Sequence, residues 1–253
     1  MDTRKRIIPK IEIKNGFVVK GIQLEGVKKV GEPIEIAREM YNQNCDELIL
    51  SDLVASLYNR IEIHKFIKNI SQEIFVPISA GGGINSIEDA ETLFSSGADK
   101  IFLNTRAVEN PTILKDLISH YGSSSVVLQV DTAIYRGGFK IFTKSGREFH
   151  DINIEHWLET CQDLGVGEIL VTSIRHDGRL QGPDRSLLAL LANIRSVPII
   201  YSGGVHSIAD LEEVLSHDAI SGVTVSSALY SKLLRIDEAR VDLINLGVDL
   251  RKL

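Results

Sequence analysis

The sequence predicts a (β/α)8 barrel, and three observations carry that reading. Short apolar runs alternate with helix-spaced segments eight times along 253 residues, a length that such barrels use for a single domain. The runs are apolar enough to be buried on both faces, as parallel strands under helices require. The second half also repeats the first at an offset of about 120 residues, so that Gly82-Gly83 returns as Gly203-Gly204. Four units doubled into eight favour closure over an open, doubly wound sheet. No linker or low-complexity segment divides the halves. We therefore expect one domain, residues 1–253, in two half-barrels of about 1–122 and 123–253.

The elements follow in order. Arg6 to Ile13 alternates around Pro9 and forms strand one, with Glu12 near its end. Gly16 to Gly21 reads as a hairpin excursion in a long first loop. Pro33 to Asn42 has helical spacing. Glu47 to Asp52 is strand two, and Arg60 to Ile70 an amphipathic helix. Phe75 to Ala80 is strand three. Its helix runs from Ser86, a suitable N-cap, to Ser95, with Gly97 as the stop. Lys100 to Thr105 is strand four with a polar exit, and Pro111 to Tyr121 a helix with proline in its first turn. Val126 to Asp131 is strand five, followed by a second hairpin excursion over Phe139 to Phe149 and a helix from Ile154 to Leu164. Glu168 to Thr172 is strand six. Asp177-Gly178 turns into a helix from Asp184 to Ala192. Val197 to Tyr201 is strand seven, Ile208 to Leu215 its helix, and Gly222 to Ser227 strand eight with its exit, followed by helix to about Leu246.

Composition narrows the function. Net charge is −6 and no basic stripe is present, which argues against nucleic acid as a partner. Cys45 and Cys161 are far apart and form no CxxC pair, so a reducing cytoplasm is the simplest setting and packing their simplest role. The start of the chain, Met1 to Arg6, lacks a long apolar region; neither a signal peptide nor a membrane span is expected. The histidines are scattered without ligand spacing, so no metal and no cofactor are expected.

The chemistry lies at the strand C-termini, where barrels of this class build their active sites. Glu12 and Asp131 end strands one and five, on opposite sides of the mouth. Two such acids suit proton transfer in both directions on a substrate lying between them. The plainer reading is that each acid caps a strand or meets a lysine such as Lys20. Two glycine turns flank them. Gly81-Gly82-Gly83 joins Asn104-Thr105 after strands three and four, and Ser202-Gly203-Gly204 joins Ser226-Ser227 after strands seven and eight. Glycine N–H groups leading into a helix N-terminus cradle anions, and the doubling points to a substrate with phosphate at both ends. At the opposite end, Arg6, Glu47, Lys100 and Glu168 open strands one, two, four and six. They form either a structural ion-pair plug or a gate on an axial path.

These motifs, together with Arg6-Ile7-Ile8-Pro9, Val18-Val19-Lys20-Gly21, Asp46-Glu47-Leu48, Gly97-Ala98-Asp99-Lys100, Gly167-Glu168-Ile169-Leu170 and Thr172-Ser173, stand in order over nearly the full chain. The chain resembles the cyclase subunit of imidazole glycerol phosphate synthase. The resemblance implies a lyase-type reaction without cofactor. Ammonia from a separate glutaminase subunit, bound as a heterodimer, crosses the barrel and meets a bis-phosphorylated aminoimidazole-carboxamide ribulosyl nucleotide. Imidazole glycerol phosphate and an aminoimidazole-carboxamide ribotide leave. It further implies that Glu12 and Asp131 are the catalytic acids. Lys20, Gly82, Gly83, Asn104, Thr105, Ser145, Thr172, Asp177, Ser202, Gly203, Gly204, Ser226 and Ser227 would contact substrate or its phosphates. Arg6, Glu47, Lys100 and Glu168 would form an ammonia gate, and Asp99 would lie at the glutaminase interface. The chain departs from the family where Lys10-Ile11-Glu12-Ile13 replaces a usual Cys-Leu-Asp-Val, where Arg175 replaces an acid, and at Thr132-Ala133-Ile134-Tyr135. The longer glutamate moves its carboxylate outward, and misplacement on the scale of an ångström costs on the order of 10²-fold in rate. Two other readings stay open: a paralogue delivering ammonia for acetamidino-sugar formation in surface polysaccharide, and a non-catalytic barrel that binds a glutaminase.

Overall fold

The structure, a computed structural model, describes residues 4–55, 62–194 and 197–251. In chain order the first half holds β1 (Arg6–Lys14), β2 (Phe17–Ile22), β3 (Glu25–Gly31), α1 (Pro33–Asn42), β4 (Leu48–Asp52), α2 (His64–Ile70), β5 (Ile78–Gly81), α3 (Ile87–Ser95), β6 (Lys100–Leu103), α4 (Thr105–Glu109) and α5 (Thr112–Tyr121). The second holds β7 (Val126–Tyr135), β8 (Gly138–Thr143), β9 (Glu148–Asn153), α6 (Ile154–Asp163), β10 (Glu168–Ser173), α7 (Arg185–Leu191), β11 (Ile199–Ser202), α8 (Ile208–Leu215), β12 (Ile220–Val225), α9 (Ser227–Tyr230) and α10 (Ile236–Asn245).

Parallel pairing runs β1–β4–β5–β6–β7–β10–β11–β12 and returns from β12 to β1, closing an eight-stranded barrel. Strands β2 and β3 form an antiparallel excursion from β1, and β8 and β9 the matching one from β7. The excursions therefore repeat along with the strands. So do the caps after the glycine turns: the Ser86 hydroxyl accepts from Asp89 N–H, and Ser207 forms a full capping box with Asp210.

Local differences from the sequence expectation have local causes. Strand five continues past Asp131 through Thr132-Ala133-Ile134-Tyr135, because β-branched and aromatic residues keep alternating and pair with β8. The polar exits of strands four and eight wind into the short helices α4 and α9. The single terminal helix expected to Leu246 is two helices, α9 and α10, separated by a turn in which Lys232 has φ +58°. Strand three begins only at Ile78: Pro77 has no N–H to donate, and Phe75 is 78% exposed. Arg60 and Ile61, at the start of the helix expected over 60–70, lie outside the described residues, as do Met1 to Thr3.

Two apolar layers hold the fold. Helices cover the outside of the strands with one continuous buried cluster, and Ile8, Ile49, Phe102, Val127, Leu170 and Ile200 form a separate cluster within the barrel. Cys45 and Cys161 are buried and unpaired, as packing residues would be. Among the described residues no helix is long and apolar enough to cross a membrane. One buried ion pair ties the C-terminal helix to the barrel. Arg240, 1% exposed, donates to Asp46 at 2.7 Å, and Asp46 also accepts from Ile7 N–H at 2.9 Å. Removing one partner of a buried pair leaves an uncompensated charge. Arg240→Met is therefore expected to destabilise the chain by about 3–5 kcal/mol in urea denaturation; a loss within experimental error would contradict this account of how α10 is held.

Candidate active site

Alternation on a strand sends every second side chain to the same face. On β1 the inward set is Arg6, Ile8, Lys10 and Glu12, rising from one end of the barrel to the other. Neighbouring strands then pair residue by residue. Glu12 pairs with Ser51, Phe102 with Val127, Gln129 with Leu170, and Asp131 with Thr172. Three levels result: charged at the N-terminal end, apolar in the middle, polar at the mouth. By the same register, Lys10 and Glu12 of the first half correspond to Gln129 and Asp131 of the second.

The lower level is a closed ring. Arg6 bonds Glu47 at 2.8 Å and also Glu168, while Lys100 bonds Glu47 at 3.1 Å and Glu168 at 2.9 Å. Each acid thus has two cations and each cation two acids. Ser79 adds a hydroxyl to Glu47 at 2.5 Å. Burial works against the Glu168 charge, but Arg6 and Lys100 outweigh it and hold the carboxyl below its ordinary pKa. Asp99, beside the ring, accepts from Ile78 N–H at 2.8 Å.

At the mouth, Glu12 and Asp131 are 2% and 3% exposed and both line one cavity of about 810 Å³. They are held by different chemistry. Lys20 reaches Glu12 Oε2 at 2.8 Å and Asp177 at 2.9 Å, and Lys10 lies 3.4 Å from Glu12 Oε1. Burial works to raise the Glu12 pKa, but the two lysines, Lys20 first, outweigh it and hold the group below its ordinary value. Asp131 instead accepts amide N–H from Gln129 and from Asn104, each at 2.9 Å. Burial dominates there and pushes the Asp131 carboxyl upward, against the field of Lys10 and the two amide bonds. Two acids at equivalent places are thereby shifted in opposite directions.

The two glycine turns are alike in backbone and unlike in space. Gly82 and Gly203 have φ +114° and +124°, and a Cβ would meet Asp52 O at 2.5 Å and Ser173 O at 2.8 Å, so only glycine fits either turn. Gly82, Gly83, Asn104, Thr105 and Ser145 line the large cavity. Asp177, Ser202, Gly203, Gly204, Ser226 and Ser227 line a second, small one of about 20 Å³, together with Lys20. Lys20 stands between the two, since its partner Glu12 opens onto the larger. The β2–β3 excursion packs over the second side, where Gln23 N–H donates to Asp177 O at 2.8 Å.

Three expected contacts sit differently from a free phosphate ligand. Asn104 is committed to Asp131 and to Phe142 O, the latter at 3.0 Å. Thr172 is fully buried beside Asp131 and lines neither cavity. The Ser145 hydroxyl donates to Leu53 O at 2.9 Å. Sequence reasoning missed Lys10 and Gln129 as site residues. The available signal was their place two residues before each acid, on the same inward face. Among the described residues no group of three or more His, Cys, Asp or Glu is placed to hold a metal.

Known proteins share this chain's sequence over most of its length. A family model described as "Histidine biosynthesis protein" matches residues 6–235. A Lactococcus lactis subsp. cremoris (strain SK11) protein named imidazole glycerol phosphate synthase subunit HisF is 38% identical over 240 residues, 94% of this chain and 91% of the relative. The same name belongs to a Legionella pneumophila protein, 40% identical over 79% of this chain and 95% of its own. It also belongs to one from Chlorobium phaeovibrioides (strain DSM 265 / 1930), 36% identical over 98% of both. With a family model spanning the barrel strands and relatives aligned almost end to end, the chain belongs to the histidine biosynthesis protein family.

Proposed function

We propose that this chain is the cyclase subunit of an imidazole glycerol phosphate synthase. It would use ammonia from a partner glutaminase to turn a bis-phosphorylated aminoimidazole-carboxamide ribulosyl nucleotide into imidazole glycerol phosphate and the carboxamide ribotide, a lyase-type reaction. The observation that carries the reading is the pair of buried acids, Glu12 and Asp131, lining one cavity that also reaches the Gly82-Gly83 turn. The relatives' shared name favours this reading over amidination of a sugar and over a barrel without catalysis. Both half-barrels contribute an acid to one cavity, which supports treating residues 1–253 as one functional domain. Two buried free thiols suit a cytoplasmic setting.

The residues have separable tasks in this reaction. The ring of Arg6, Glu47, Lys100 and Glu168 would admit ammonia from the glutaminase, which docks at that end, near Asp99. The apolar layer above it suits a small neutral molecule and excludes ammonium. The glycine turns, with Thr105, Ser145, Ser202, Ser226 and Ser227, would hold the two phosphates. Glu12, kept ionised, takes the proton that nitrogen sheds on adding to the substrate. Asp131, whose carboxyl burial pushes upward, would return one to the departing group. A carboxylate clamped by two lysines is a weak base. Transfer of Lys20 from Glu12 to a substrate phosphate would restore its basicity when substrate binds.

The test is turnover of that substrate with ammonium salts at mildly alkaline pH. Asp131→Asn is expected to lower kcat by on the order of 10²–10⁴-fold with substrate affinity retained; near-normal turnover by the variant would contradict a proton-transfer role. Glu168→Ala, with the glutaminase and glutamine supplied, is expected to let glutamine hydrolysis outrun product formation, measured as the ratio of glutamate to imidazole product. An unchanged ratio would mark the ring as a structural plug.

A further inference from the structure

The internal repeat provides a control that single-copy sites lack, because the two acids of the mouth occupy equivalent positions. Gln129, two residues before Asp131, offers it a neutral amide, and Asn104 offers a second. Lys10, at the equivalent place before Glu12, offers an ammonium, and Lys20 offers another. Among the described residues no cation bonds Asp131 directly. We infer that Lys10 is a positioning residue that makes the two acids unequal, keeping Glu12 a carboxylate even when Lys20 moves to substrate, whereas Asp131 has neutral amides in place of directly bonded cations. The inference rests on the reading of Glu12 and Asp131 as the reacting acids.

Three features fit Lys10 to that task. It is 2% exposed, and it lies on the inward face between Ile8 and Glu12. Its carbonyl is fixed by the Ser226 hydroxyl at 2.7 Å and the Tyr230 hydroxyl at 3.1 Å, so its backbone is locked by the exit of the last barrel strand. Lys20 instead projects from the β2–β3 excursion and bridges to a loop residue, Asp177. Lys10 thus stands on the barrel wall beside Glu12, whereas Lys20 reaches Glu12 from the excursion. The groups facing Glu12 are Lys10 from its own strand, Lys20 from β2 with Asp177 behind it, and Tyr230 from α9. Asp131 faces Lys10 and Asp177.

The test is a carbon-13 NMR titration of the Glu12 and Asp131 carboxyls in the whole chain, assigned with Glu12→Gln and Asp131→Asn. In the unaltered protein Glu12 is expected to titrate below Asp131; the reverse order overturns the inference without any variant of Lys10. Lys10→Met keeps the buried stem, and Lys10→Gln copies the other half. Both should raise the Glu12 midpoint by about one pH unit or more, and Lys10→Arg should restore it. An unmoved midpoint in the two neutral variants overturns the inference. The acid limb of ammonia-driven turnover should follow the midpoint upward. If the midpoint moves and the limb does not, Lys10 acts on Glu12 as inferred, and it is the assignment of Glu12 as a reacting acid that fails.

Discussion

The rest of the structure depends on closure of the parallel sheet in one register. Once β12 pairs with β1, inward residues from eight strands meet at three heights, and a single strand carries all three kinds of surface. Arg6 belongs to the ring, Ile8 to the dry layer, and Lys10 and Glu12 to the mouth. A shift of one residue in β1 would turn all four outward among the helices. Buried charge is tolerated at both ends because closure brings each ion its partners. Arg6 and Lys100 share Glu47 and Glu168 below, and Lys10 and Lys20 share Glu12 above.

The same closure makes one barrel from two similar halves without making them equal. Backbone features repeat faithfully: the excursions, the glycine turns and the serine caps. Side chains at the mouth do not. Lysine faces glutamine across the pseudo-two-fold, glutamate faces aspartate, and the β2–β3 excursion covers its side closely enough to leave a small cavity beside Ser202-Gly203-Gly204. Under the proposed function, the repeated turns would serve a ligand phosphorylated at both ends. A reaction that moves protons one way needs the inequality.

The sequence made the plan of the barrel legible because apolar period, glycine turns and caps are local signals. Ser86, Gly97 and the α1 boundaries Pro33–Asn42 are of this kind. The acids were legible because each ends an apolar run. What escaped depends on neighbours distant in sequence. Asn104 reads as an exit residue, but β6 lies beside β7, and its amide reaches Asp131. Thr172 reads as part of the mouth, but it is fully buried beside Asp131 and meets neither cavity. Lys10 was visible as a departure from a family pattern and by its spacing from Glu12; the partners it meets inside the barrel follow from closure, which no stretch of sequence states alone.

The central claim is that ammonia passing this barrel becomes part of an imidazole ring formed between Glu12 and Asp131. The most direct measurement supplies nitrogen-15 ammonia and the bis-phosphorylated ribulosyl substrate to the isolated chain, and follows the label by mass spectrometry. The account predicts one labelled nitrogen in imidazole glycerol phosphate and none in the released ribotide. Unlabelled products, or no product from the unaltered protein or from Glu12→Asp, would contradict it.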